Sequence, residues 1–164
     1  KVRSRRVRAL LTSALLIIHG LVAVALLGAI THQTIAAWAP TRGRPGSFFG
    51  RFRSVPSSSF VNAIVVLYVV STLLGGTIYL NFRVDIRPDL ERAGHWPALG
   101  LFDLKEHFVS IGLALLPAYW VCWQRQRTDD PSRTPAALTL ILAFIVWWSF
   151  LVGHVLNNIM GFGR

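Results

Sequence analysis

The chain has 164 residues, of which 53% are hydrophobic and only 15% charged, and its mean hydropathy is +0.50. A soluble domain carries about a quarter charged residues, so this composition excludes an ordinary soluble globular protein. The net charge of +10 and pI near 11.4 would point to nucleic acid in a soluble protein. Here the Lys and Arg residues border apolar runs, so they read as topology signals and contacts to anionic lipid, and no nucleic-acid partner is expected.

Four spans of about 20 residues with short connections use up the whole length. The expectation is a single integral membrane domain over 1–164, an all-α, four-span transmembrane helix bundle with short loops. The only cysteine, Cys122, excludes an internal disulfide and any multi-cysteine metal or iron–sulfur site.

Lys1, Arg3, Arg5, Arg6 and Arg8 lead into an apolar run that predicts a first span over 9–37. A signal peptide has an apolar core of only about 7 to 15 residues, so this run reads as a retained span. Ala25, Gly28, Ala29, His32 and Ala36 share one side of the helix, a stripe of small residues suited to close helix packing. His19 falls elsewhere on the wheel and about 20 Å from His32 along the axis, so the two are expected to serve different sites.

Pro40 to Ser59 reads as a connection broken by prolines and glycines. Within it Phe48, Phe49 and Phe52 alternate with Arg42, Arg44, Arg51 and Arg53, which suggests a segment lying among lipid headgroups. A second span is predicted over 60–81, with Tyr68, Thr72, Tyr79 and Arg83 on an inward polar face. Phe82 to Gly100 reads as a charged connecting loop, a solvated segment or a docking surface, with Pro88 able to open a helical turn.

The third span, predicted over 102–123, opens with Asp103, Lys105, Glu106 and His107 and ends among Tyr119, Trp120 and Trp123. Pro117 predicts a kink there. After a polar turn, Thr134 and Pro135 begin a fourth span over 135–159 that stops near Gly161. Trp147 and Trp148 lie mid-span, which points to packing against a helix or a flat ligand.

Four spans place both termini on one side, which collects ten Lys and Arg residues against seven on the other (17 in all). That margin predicts cytoplasmic termini in a bacterial inner membrane. Soluble-enzyme motifs are absent, so no independent catalytic activity is expected.

Counting from span centres, His107 and His154 are expected level on antiparallel helices, with His19 slightly deeper on the same side. These three are candidate haem b ligands, with Arg83 and Glu106 as candidate rim residues, because ionisable groups inside a membrane generally serve a cofactor, a path or a partner. In helix count and histidine placement the pattern resembles the small four-helix b-type cytochromes of respiratory membranes. The function expected is a small subunit of a larger membrane complex in electron transfer, with other membrane subunits, anionic lipids and quinone as partners. A cofactor-free scaffold and a transport or proton-path protein are the alternatives.

Overall fold

The computed structural model describes residues 2–39, 46–126 and 133–160, and these are helical with short turns and no strand among them. Helix α1 (Val2–Trp38) is 37 residues of mostly Leu, Ala, Ile and Val, about 55 Å of helix. The short α2 (Phe48–Arg53) starts at Ser47, whose Oγ accepts the Gly50 N–H at 3.1 Å. A 3₁₀ turn (Ser57–Phe60) then feeds α3 (Val61–Asn81). The Arg42 and Arg44 part of the proposed interfacial segment and the stop at Gly161 lie outside the described residues.

The loop expected over 82–100 is mostly helix. From α3 the chain passes through a π-helical turn (Phe82–Ile86) into α4 (Arg87–Arg92), so helical backbone continues from Ser57 to Arg92. Pro88 sits in the first turn of α4, just past the π-helical turn, and Arg87 pairs with Glu91 at 3.0 Å one turn on, which stabilises the segment. The reversal needs only Ala93, Gly94 and His95. Gly94 adopts φ +73° and donates to the Glu91 carbonyl, while His95 N–H reaches the Leu90 carbonyl, a Schellman stop that favours glycine.

Helix α5 (Trp96–Arg125) therefore begins six residues earlier than 102, with Pro97 in its first turn, and runs unbroken through Pro117. Helix α6 (Thr134–Met160) follows. Around the bundle α1 packs against α3 and α6, and α5 against α3 and α6, so neighbours are antiparallel in an up-down-up-down arrangement. The start of α1 and the end of α6 lie at the same end.

Three helical stretches, Leu10–Trp38, Ser57–Arg92 and Thr134–Ile159, are long and apolar enough to cross a membrane. Helix α5 is as long as these, but Asp103, Lys105, Glu106 and His107 dilute its first half. The chain is thus a four-helix bundle with the character of an integral membrane protein.

Steps of seven residues organise the interior into layers, as in bundles whose side chains interlock. Gln33, Val61, Tyr119 and Thr139, one from each long helix, are all at most 1% exposed. One heptad on, Leu26, Tyr68, Gly112 and Val146 form a second buried layer. The buried stripe of α1 is therefore Leu26, Ile30, Gln33 and their neighbours; of the expected small-residue stripe His32 and Ala36 are buried and Ala29 half-buried, whereas Ala25 and Gly28 are exposed.

The first layer is held by specific polar contacts. Tyr119 Oη donates to Gln33 Oε1 at 2.7 Å, and Gln33 Nε2 donates to the Ser57 carbonyl at 3.0 Å. Trp123 Nε1 donates to Thr139 Oγ1, which itself donates to the Pro135 carbonyl. Near the same end, Trp120 reaches Asn62, and Trp38 reaches the Ala136 carbonyl. Buried polar groups without water must be paired, and here they are paired across helices.

Candidate polar site between the helices

A further heptad step from the second layer gives His19 on α1, Gly75 on α3, Lys105 on α5 and Gly153 on α6. These four are His, Gly, Lys and Gly, so two of them lack a side chain, against only Gly112 in the layers above. His19 lies one residue from the midpoint of α1, Gly75 four from that of α3, and Lys105 and Gly153 about six from those of α5 and α6, so all are within about 9 Å of mid-helix. The hydrocarbon core extends about 15 Å from the midplane, so this layer falls inside it.

Contacts join the α1 and α3 members of this layer. A Cβ added to Gly75 would stand 3.4 Å from Cε1 of His19, so the missing side chain lets the imidazole lie against α3. The ring has the backbone of Ser71 in reach, and Lys105 and Glu106 are its charged neighbours from across the bundle. A Cβ added to Gly153 would meet nothing within 4 Å.

Lys105 lies seven residues after buried Ala98 and seven before buried Gly112, which turns its side chain inward. That side chain is only 17% exposed. Its Nζ donates to Glu106 Oε1 at 2.9 Å and sits 4.8 Å from the centre of the Phe102 ring. Glu106, on the flank, keeps 40% of its side chain exposed. Phe102 also stacks with Tyr79 and Phe82, a flat aromatic wall between α3 and α5.

Three polar atoms in this half of the bundle are buried with no hydrogen-bond partner among the described residues: His19 Nδ1, Trp148 Nε1 and Ser149 Oγ. Trp148 and Ser149 fall between the Val146 and Gly153 levels of α6. Trp148 packs edge-on to Phe108 of α5, whereas Trp147 is exposed and donates to Thr31 Oγ1 of α1. Each unpaired buried donor or acceptor costs about 1 to 3 kcal/mol, so each of the three calls for a polar partner.

The other expected site residues lie elsewhere. His107 is exposed, with Nδ1 2.7 Å from the Asp103 carbonyl of its own helix. His154 is exposed too and stacks on Phe150 of its own helix. Of the three candidate ligands only His19 belongs to an interior layer. Arg83 is exposed, while Arg87, which sequence reasoning passed over, makes the rim contact: it pairs with both Asp103 oxygens at 3.0 and 3.3 Å and ties α4 to α5. His32 is buried and tilted against Phe60 at the opposite half of α1.

Gly153 was missed as a site residue, and the inward facing of Lys105 and Gly75 toward His19 was not read. Their signal was present as the heptad phase shared with Gly112, Tyr68 and Val146, a register that only the interlocked layers make visible. Among the described residues no group of three or more His, Cys, Asp or Glu side chains is placed to hold a metal ion. No protein-family model matches the chain, and no similar curated protein or solved structure was found.

Proposed function

We propose that the chain is a small integral membrane subunit of a larger membrane complex that transfers electrons, with α5 as its fourth span. The observation that carries this reading is the layer of His19, Gly75, Lys105 and Gly153 at membrane depth, with Glu106 partly open beside it. Ionisable groups are expensive in hydrocarbon, and they are retained where a cofactor, a path or a partner uses them. A carboxylate that is 40% exposed on the flank of a span calls for a neighbouring subunit or ligand to cover it.

If haem b is the cofactor, His19 is its interior ligand, and a haem on His107 or His154 would sit at the outer surface, shared with a neighbouring chain. The ten-to-seven distribution of basic residues supports cytoplasmic termini in a bacterial inner membrane. The test is mild-detergent purification of the complex from its native membrane. A Soret band or redox-active partner subunits are expected. A colourless single chain with no redox partner would overturn the reading in favour of a scaffold.

A further inference from the structure

We propose that the layer of His19, Gly75, Lys105 and Gly153 is a binding site for the head group of a lipid-soluble quinone. The proposal deepens the electron-transfer reading and rests on it for the choice of a quinone among flat carbonyl compounds.

Four observations converge. The polar groups come from opposite corners of the bundle: Lys105 Nζ, with N–H groups beyond the one given to Glu106, and His19 Nδ1, which has no partner among the described residues. With Nε2–H of His19 turned to the Ser71 backbone, Nδ1 is an acceptor, so Lys105 donates to a quinone carbonyl and His19 accepts from the hydroxyl of the reduced ring. Trp148 Nε1 adds an unpartnered donor from α6.

Space is left at Gly153, where nothing lies within 4 Å of an added Cβ, whereas the room at Gly75 is taken by the His19 ring. A planar ring also finds a matching surface, because Tyr79, Phe82 and Phe102 stack beside Lys105 with interplanar angles of 7° to 26°.

Depth restricts the visitor. Within about 9 Å of the midplane the site is reached through lipid rather than through bulk water. A ligand with carbonyl acceptors, a flat ring and an apolar tail meets every requirement, and the exposed flank at Leu101, Leu104 and Glu106 gives the tail a way out.

Titration of tritiated decylubiquinone into nanodiscs with and without the protein tests this. A saturable component of one site per chain above the empty discs is expected. Lys105→Met should weaken it about tenfold or more, the scale of one charge-assisted hydrogen bond, and Lys105→Arg should retain it. Uptake equal to that of empty discs, or unchanged binding in a well-folded Lys105→Met variant, would overturn the site.

Should Lys105→Met not fold, photolabelling of the unaltered chain with an azidoquinone decides. Adducts within 16–23, 71–79 or 102–109 support the site, and adducts confined to the outer faces of α1 and α6 overturn it. Saturable quinone binding without a redox partner would sink only the electron-transfer reading. A redox-active complex without saturable binding would sink only the quinone site.

Discussion

The phenol of Tyr68 lies directly over the backbone of Gly112, and its Oη donates to the Val109 carbonyl at 3.0 Å. A side chain at 112 would occupy the space of that hydroxyl. Gly112→Ala should therefore lower bundle stability by about 1 to 3 kcal/mol, the range for overpacking a filled interior. Adding Tyr68→Phe should recover part of the loss by removing the nearest atom. Thermal unfolding in detergent, followed by size-exclusion chromatography, measures both.

Gln33 ties α1 to α5 through Tyr119 and to the turn before α3 through Ser57. Gln33→Leu leaves the Tyr119 hydroxyl and the Ser57 carbonyl without these partners. A loss of about 1 to 2 kcal/mol is expected, since interhelical hydrogen bonds in membranes are of that modest size. No loss in the same unfolding assay would show that the two groups find new partners.

The Arg87–Asp103 pair is partly exposed, with side chains 29% and 44% accessible, so its contribution to global stability should stay under about 1 kcal/mol. Its local effect is larger. Arg87→Met should speed amide hydrogen exchange across 87–92 relative to α3, because α4 loses its bidentate tie to α5. Unchanged exchange would mean that the Schellman stop alone holds the segment.

Helix α3 separates Arg51 from Arg92, so cysteines at these two positions should be labelled from opposite sides of the membrane. The basic-residue distribution assigns Arg92→Cys to the cytoplasmic side. Labelling of both from one side would contradict the bundle as a membrane-crossing unit.

The long helices were readable from the sequence because hydropathy and length are local properties. Across 82–92 only the helical turn opened by Pro88 was legible, because the charges suggested solvent, and the ties that hold the segment, Arg87 to Asp103 and Gly94 at its stop, connect residues that only folding brings into register. Trp96-Pro97 was an available start signal for α5. Depth counting treated each helix by itself, so it drew attention to His107 and His154, whereas which way a side chain faces depends on its phase relative to neighbours. His19 and Lys105 share that phase with Leu26 and Gly112, and interhelical contact, not spacing from a span centre, brings them together.

The knot of Gln33, Tyr119, Trp123 and Thr139 sits toward one end of the bundle, with the glycines of α3 and α6 toward the other. Helix tilts pivoting on the hydrogen-bonded layer would displace the far half most, by an amount that grows with distance from the pivot, against the Arg87–Asp103 and Asn81–Thr12 ties there. A change in bilayer thickness or lateral pressure would therefore be felt first around Lys105 and Glu106, with the Tyr119 layer nearly still.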